Sequence, residues 1–257
     1  MNDQHSPLYK KNPDSKGLVI FIHGFMGSPR HFDGLAELAY EHGCSVSSLL
    51  LPGHGRSAKE FAACSAEQWQ GYVDSEISRF SAEHDSIFLV GHSMGGLLAL
   101  NAAARFGGSP AASVSGGPVS GAYVLAAPFE LAMLTANSMR SRTRMAFSRE
   151  RKQIGATYKL GNSVRPSPYL LTHIARPYKE LKKLMRGTRE LLGDIRVPVT
   201  AAYSPRDELV SFESLSILEH ALDGVCLSKV ALSDSLHDYA PEHERRLIEQ
   251  ALLASLM

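Results

Sequence analysis

The segment Gly91-His92-Ser93-Met94-Gly95 constrains the fold of this chain more than any other feature. It separates the apolar run at residues 87–90 from a second apolar run at 97–100. This order predicts a strand, a sharp turn and a helix, with Ser93 in a strained backbone conformation at the turn and flanking glycines that let strand and helix approach closely. We therefore expect the Ser93 hydroxyl to stand above a sheet, where it can attack a carbonyl. The Met94 amide, at the helix start, can then hold the oxyanion that forms.

Short apolar runs recur along the chain and alternate with helical patterns. Such alternation predicts a parallel sheet, and functional groups of parallel sheets gather at the carboxyl ends of the strands. Helices are predicted over 67–81, where Ser65 and Gln68 supply capping groups, and over 241–256, which starts with proline. The predicted strands cover residues 18–22, 46–51, 87–90, 123–126, 199–203 and 226–232.

Residues 129–193 interrupt this alternation of strands and helices, because they lack a strand pattern and contain amphipathic stretches at 131–139 and 177–192. They carry 14 Lys and Arg against 4 Glu, a net charge of +10, whereas the rest of the chain carries −9. We predict an α/β core from 1–128 and 194–257, with a helical cap inserted at 129–193.

Two interpretations of the basic cap stay open. The charges form a solvated helical face, or they attract anionic substrates and make weak contact with anionic lipid. Under the second interpretation the cap also supplies an acyl pocket. Its candidate lining residues are Met133, Leu134, Met139, Met145, Phe147, Tyr169 and Leu170.

The bulk composition is ordinary for a soluble globular protein. The 257 residues suit one large α/β domain, and 44% hydrophobic with 21% charged residues argues against disorder. The first apolar run is too short to cross a bilayer, so we expect no signal peptide and no membrane segment. Cys44, Cys64 and Cys226 lack the spacing of a disulfide framework or metal site. We expect them to be reduced and buried in a cytoplasmic protein.

A serine hydroxyl needs a histidine to accept its proton, and the chain holds 11 histidines. His237 lies in the loop that follows the predicted strand at 226–232 and precedes the last helix. This position predicts that His237 is the base. His220 and His243 fall inside helical patterns, so we expect them to be solvated.

The acid that orients this histidine is expected after the strand at 199–203. Asp207 and Glu208 both follow that strand through a short turn, and Asp207 is preferred with Glu208 as its rival. Asp194 precedes the strand and therefore lies at the wrong end of the sheet. Asp234 and Asp238 flank His237 closely, and we expect them to bond the local backbone.

The second oxyanion donor is expected in the loop after the first core strand. That loop reads His23-Gly24-Phe25-Met26-Gly27. The amide of Phe25 is the candidate partner of the Met94 amide, and Gly24 lets the backbone approach a substrate. We expect His23 to be a buried residue that orients this loop.

Three motifs and two single residues follow one another along the chain: His23-Gly24-Phe25, Gly53-His54-Gly55-Arg56-Ser57, Gly91-His92-Ser93-Met94-Gly95-Gly96, Asp207 and His237. This set resembles the α/β-hydrolase superfamily and, within it, small bacterial carboxylesterases and monoacylglycerol lipases. The resemblance covers the chain from residue 18 onward, apart from the predicted cap, and implies the α/β-hydrolase fold.

The resemblance also implies residue roles. Ser93 is the nucleophile, Asp207 the acid and His237 the base, and the amides of Phe25 and Met94 form the oxyanion hole. His54 is a loop residue without a catalytic role. The chain departs from the family at Leu236, where glycine is usual before the histidine, and leucine narrows the backbone conformations open to that loop.

These features predict a serine hydrolase that cleaves carboxylic esters of short to medium acyl chains, monoacylglycerols among them, through an acyl-enzyme. The same triad would serve a thioesterase, an amidase, a carbon–carbon bond hydrolase or an acyltransferase. The fold alone would serve a binding or sensor protein.

The expected partner is a small-molecule ester, bound by a monomer or weak dimer. We expect no cofactor, because the chain lacks the glycine-rich nucleotide motifs, and no metal, because acyl transfer by this route needs none. No nucleic acid is expected either, since no binding motif accompanies the basic charge.

Overall fold

The computed structural model describes residues 5–15, 17–108, 117–132, 163–164, 170–222 and 224–257. These residues form a seven-stranded sheet with helices on both faces, which confirms the predicted mostly parallel sheet flanked by helices. The strand order is β1-β3-β2-β4-β5-β6-β7, and all neighbours pair in parallel except β1 with β3. The strands are β1 (Leu8–Lys10), β2 (Gly17–Ile22), β3 (Ser45–Leu49), β4 (Ser86–His92), β5 (Val119–Leu125), β6 (Val199–Tyr203) and β7 (Leu227–Ala231).

The six predicted strands are confirmed, with ends that differ by a few residues. β1 was not predicted; it pairs antiparallel with β3 at the edge of the sheet. This strand has three residues, and Leu8 and Tyr9 are exposed, so it carries neither an apolar run nor a clear alternation.

Helices cover both faces of the sheet because side chains of each strand alternate between them. Val19 and Phe21 of β2 face α1 and α7, whereas Leu18, Ile20 and Ile22 belong to the core under α2 to α6. The helices are α1 (Asp33–Glu41), α2 (Ala58–Ala63), α3 (Ala66–Phe80), α4 (Met94–Phe106), α5 (Leu170–Leu191), α6 (Glu213–Ala221) and α7 (Glu242–Leu256).

The two helices predicted in the core region are present. Ser65 caps α3, and its hydroxyl and the Gln68 side chain satisfy each other's backbone N–H groups in a capping box. α7 begins at Glu242, one residue after the proline predicted to open it. No helix in the described ranges is both long and apolar enough to cross a membrane.

α5 is the described helix of the predicted cap, and it packs against α2, α3 and α4. Leu181 and Leu184 are buried in the core, and the Glu180 carboxylate accepts the Ala66 N–H at the start of α3 at 3.1 Å. Residues 133–162 and 165–169 lie outside the described residues, and with them all the predicted acyl-pocket residues except Leu170, the first residue of α5. The insertion at 129–193 therefore stays a prediction.

The cysteine prediction is wrong for two of the three residues. Cys64 is buried, but Cys44 is only half-buried and Cys226 is exposed. Cys226 immediately precedes β7, an edge strand whose residues are all partly or fully exposed, and it shares the exposure of that edge. All three are free thiols.

Candidate active site

Ser93 lies at the sharp turn between β4 and α4, which we call the Ser93 turn (residues 91–95). Its backbone has φ 53° and ψ −122°, in the region that side chains rarely adopt. The turn persists because its surroundings are packed: a Cβ on Gly95 would collide with the Ile22 carbonyl, and one on Gly91 with the Gly95 carbonyl. The Ser93 N–H donates to the Leu125 carbonyl at 2.8 Å, which ties the turn to β5.

His237 lies in the loop between β7 and α7, which we call the His237 loop (residues 233–239). Leu236 and Tyr239 exchange backbone hydrogen bonds of 2.7 and 3.3 Å, so His237 stands at the tip of a tight turn. Its Nε2 is 3.0 Å from the Ser93 Oγ. Leu236 is not among the residues with positive φ, so this turn does not need the glycine that the family usually has there.

Asp207 follows β6, and its Oδ2 is 2.8 Å from the Nδ1 of His237. Its Oδ1 accepts the N–H groups of Leu209 and Val210, each at 2.8 Å, which fixes the carboxylate. The side chains of Asp207 and His237 are 5% and 6% exposed. Of the two acids left open by the sequence, Asp207 therefore contacts the imidazole.

The electrostatic surroundings of His237 favour its protonated form. Burial lowers the pKa of His237, but the charge and hydrogen bond of Asp207, together with the charges of Asp238 and Glu208, raise it to about 9. A proton on Nδ1 suits a hydrogen bond to Asp207, and in the neutral ring Nε2 can then accept the Ser93 hydroxyl proton. The arrangement can thus generate an alkoxide-like nucleophile.

The loop that begins at His23 lies against Ser93. A Cβ on Gly24 would come within 3.0 Å of the Ser93 Cβ, so only glycine fits without a shift. His23 is fully buried and supports this loop, because its Nδ1 bonds the Gly24 carbonyl at 2.9 Å and its Nε2 accepts the Leu51 N–H at 3.1 Å. Burial and nearby His54 hold the pKa of His23 well below its ordinary value, which suits this supporting role.

The two predicted oxyanion donors belong to the two segments that meet at Ser93: Met94 directly follows it in sequence, and Phe25 directly follows Gly24, which lies against it. Met94 is the first residue of α4, where a backbone N–H has no partner inside the helix. Phe25 follows Gly24, and its ring packs edge-on against Phe61 and Trp69. These contacts anchor the Phe25 backbone beside the turn.

Three other histidines considered in the sequence, His54, His220 and His243, are structural or surface residues. His54 is buried, and its ring contacts Phe61, Trp69 and His23. His220 is exposed on α6, and His243 is 64% exposed on α7.

The prediction that Asp234 and Asp238 bond the local backbone is wrong. Asp234 pairs with Arg206 at 2.8 Å, because the Ser204–Arg206 turn lies beside the His237 loop and offers a cation. Asp238 lies near the His31 and His92 rings. The local backbone is bonded instead by Glu244 of α7, which accepts the N–H groups of Ser233 and of Asp234, the latter at 2.9 Å, and also the Ser233 hydroxyl at 3.0 Å. No sequence signal identified Glu244, since it looks like an ordinary helix residue.

A cavity of about 560 Å³ opens beside His237. Its wall includes His237, Asp207 and His92, together with residues of α1 and α7. Donor atoms of His31, His92 and Asp238 lie within 4.8 Å of one another there. The two imidazoles are stacked at 4.3 Å and 19°, so their in-plane lone pairs run side by side and do not converge on a metal position.

Comparison with known proteins agrees with this architecture. A thermostable monoacylglycerol lipase from Bacillus sp. (strain H-257) is 31% identical over 94 residues, 37% of this chain and 37% of that protein. A 2-succinyl-6-hydroxy-2,4-cyclohexadiene-1-carboxylate synthase from Salmonella newport (strain SL254) is 32% identical over 109 residues, 41% of this chain and 38% of that protein. The matched segments therefore span well under half of these curated relatives.

The solved structure of a Paleococcus ferrophilus monoacylglycerol lipase superposes with a TM-score of 0.71 at 18% identity, covering 97% of this chain and 98% of that one. At this identity the likeness concerns the fold. The model of the alpha/beta hydrolase family matches residues 19–241. Since this match spans most of the chain, the protein belongs to the alpha/beta hydrolase family.

Proposed function

We propose that this hydrolase cleaves carboxylic esters of short to medium acyl chains, monoacylglycerols among them, through an acyl-enzyme on Ser93. One observation carries the proposal: the buried relay in which Ser93 Oγ lies 3.0 Å from His237 Nε2 and His237 Nδ1 lies 2.8 Å from Asp207. The matched segment of the Bacillus monoacylglycerol lipase supports the choice of ester.

The reaction follows from the relay. Neutral His237 takes the Ser93 proton as the oxygen attacks the ester carbonyl, and Asp207 stabilises the imidazolium that forms. The amides of Phe25 and Met94 hold the developing oxyanion. His237 then gives its proton to the leaving alkoxide, so an alcohol departs and the acyl group stays on Ser93. A water molecule, deprotonated by His237, releases the carboxylic acid and restores the serine.

Initial rates on p-nitrophenyl esters from acetate to palmitate test this proposal, with Ser93→Ala as the decisive variant. Loss of the nucleophile should lower kcat by at least about 10³-fold. Ser78→Ala, at an exposed position of α3, is the matched control and should leave the rate unchanged. Equal turnover by wild type and Ser93→Ala would overturn the assignment.

A second panel of substrates tests which type of bond is cleaved and which group accepts the acyl chain. The triad also serves thioesters, amides, carbon–carbon bonds and acyl transfer to an alcohol, and the curated relatives themselves carry different activities. Acyl-CoA, anilides and a monoacylglycerol series, assayed beside the p-nitrophenyl esters, should give the highest kcat/KM on an oxygen ester. A higher kcat/KM on acyl-CoA would identify a thioester, and not an oxygen ester, as the preferred substrate.

A weak contact with anionic lipid is the second part of the proposal. The exposed face of α5 carries Arg176, Lys179, Lys182, Arg186 and Arg189, and Tyr178 is 41% exposed among them. Another α5 cation, Lys183, forms an ion pair with Glu67 among the described residues. A row of cations around an aromatic ring suits an anionic bilayer surface.

Co-sedimentation with phosphatidylglycerol and phosphatidylcholine vesicles tests the contact, using Ser93→Ala protein so that hydrolysis plays no part. Binding should be confined to the anionic vesicles and should fall in a triple variant at Lys179, Lys182 and Arg186, each changed to Gln. A triple variant at Lys10, Lys229 and Arg246 is the charge-matched control. Equal binding of both triple variants, or no binding at all, would leave the α5 face as a solvated surface.

A further inference from the structure

We propose that His92 and Glu208 are positioning residues that hold the backbone of His237 from both sides. The inference rests on the proposed function, because it assigns them a role in aligning the imidazole with Ser93. Both side chains contact the backbone of His237, His92 at its carbonyl and Glu208 at its N–H.

Glu208 holds the amide side of His237. Its Oε2 accepts the His237 N–H at 3.1 Å, and the residue is 5% exposed. A buried carboxylate that accepts a backbone N–H forms a charge-assisted bond, stronger than a neutral one. Glu208 therefore fixes the chain from which the imidazole projects, whereas Asp207 bonds the imidazole itself.

His92 holds the carbonyl side. Its Nε2–H donates to the His237 carbonyl at 2.8 Å, and the residue is 4% exposed. Stacking on His31 at 4.3 Å fixes the plane of the His92 ring, and the His237 ring lies 4.8 Å away. Burial keeps the pKa of His92 well below its ordinary value, so the ring is neutral with a single N–H to donate.

The two contacts come from chain neighbours of the other triad members. His92 directly precedes Ser93 at the end of β4, and Glu208 directly follows Asp207 after β6. Each of these two segments therefore supplies one side chain to the relay and one to the His237 backbone. Hydrogen bonds therefore link the segments that carry Ser93, Asp207 and His237. A shift of the imidazole relative to Ser93 requires breaking a buried hydrogen bond.

Removal of either contact should act on kcat, because it displaces the imidazole that accepts the Ser93 proton. A displacement of about 1 Å costs on the order of 10²-fold in rate. We expect His92→Leu and Glu208→Leu to lower kcat about 10- to 100-fold with KM within about twofold. His92→Gln keeps a donor and Glu208→Gln keeps an acceptor, so both should recover most of the rate. His220→Leu, at an exposed site, is the control.

The test combines ester kinetics, the rate of fluorophosphonate labelling of Ser93 and the proton NMR signal of the His237 Nδ1–H. The Leu variants should lose rate in both assays and should shift or broaden the NMR signal, with partial return in the Gln variants. If a Leu variant does not fold, Glu208→Asp or His92→Asn takes its place. Each has a shorter side chain, so we expect the same loss of rate and the same change in the NMR signal.

Folded variants with unchanged kcat and NMR signal would overturn the proposal, as would Gln variants impaired as strongly as Leu variants. Wild type that labels at Ser93 but cleaves no ester would refute the proposed substrate alone, and labelling and NMR would still test the positioning role.

Discussion

The Ser93 turn and the His237 loop hold their side chains by different physical means. Ser93 is fixed by sterics, since its positive φ persists because Gly91 and Gly95 pack directly against backbone. His237 is fixed by polar contacts from distant residues: Asp207 at the ring, Glu208 and His92 at the backbone, and Glu244 at the base of the loop. The steric constraint on the Ser93 turn is insensitive to pH, and it tolerates no added atom at the two glycines. The polar contacts of the His237 loop depend on charge and hydrogen bonds, so they should respond to polar substitutions and to pH.

The largest effect is expected where the two regions meet. His237→Gln removes the base that accepts the Ser93 proton, so kcat should fall at least about 10³-fold with the fold intact. Ester kinetics and circular dichroism measure this, with His243→Gln as the control because that side chain is 64% exposed. A fall below tenfold would mean that another group serves as base.

The steric side is tested by Gly95→Ala. Its Cβ would meet the Ile22 carbonyl, a backbone group that cannot move aside, so we expect the free energy of unfolding to fall by at least about 2 kcal/mol. Urea denaturation measures this. Gly71→Ala is the matched control, because a Cβ there on α3 meets nothing within 4 Å and should raise stability by about 0.5–1 kcal/mol. Equal effects at the two glycines would contradict the steric account.

The polar side is tested by Glu244→Gln. This carboxylate accepts bonds from Ser233, Asp234 and Ser235, and the loss of its charge should cost about 1–2 kcal/mol. Burial raises the pKa of Glu244, but these hydrogen bonds outweigh it and lower the pKa to about 2. The stabilisation is therefore complete above the ordinary carboxyl pKa and is lost as pH falls toward 2.

Urea denaturation of wild type and Glu244→Gln, at neutral pH and near pH 3, measures the difference between their free energies of unfolding. This difference should be smaller at the lower pH. Glu242→Gln, at an exposed position of α7, should change stability by no more than about 0.5 kcal/mol. A pH-independent difference for Glu244→Gln would show that packing and not charge holds the loop.

The smallest effect is a displacement of the pH profile. Because the pKa of His237 is raised to about 9, the neutral base becomes more abundant as pH rises, and kcat/KM should rise with a midpoint above the ordinary histidine value. Asp207→Asn removes the main group that raises this pKa, so its residual activity should have a lower midpoint. Profiles from about pH 5 to about pH 10 measure both. A wild-type midpoint at or below the ordinary value would contradict the electrostatic description of the loop.

The sequence predicted the steric region better than the polar one. The glycine spacing around Ser93 and the adjoining apolar runs are local signals. His237 was predicted as well, from its position in the loop between the strand at 226–232 and the last helix. The choice between Asp207 and Glu208 was open, because a one-residue difference decides which carboxylate reaches the ring after the turn. The contacts of His92 and Glu244 and the Asp234–Arg206 pair join residues from 9 to 145 positions apart, and no local pattern encodes them.

Covalent labelling with a fluorophosphonate tests the central claim most directly, that Ser93 is an activated nucleophile. Mass spectrometry of digested wild-type protein should place a single adduct on Ser93, absent from Ser93→Ala and formed far more slowly in His237→Gln. Folded wild type that remains unlabelled, or that carries the adduct on another residue, would contradict the account.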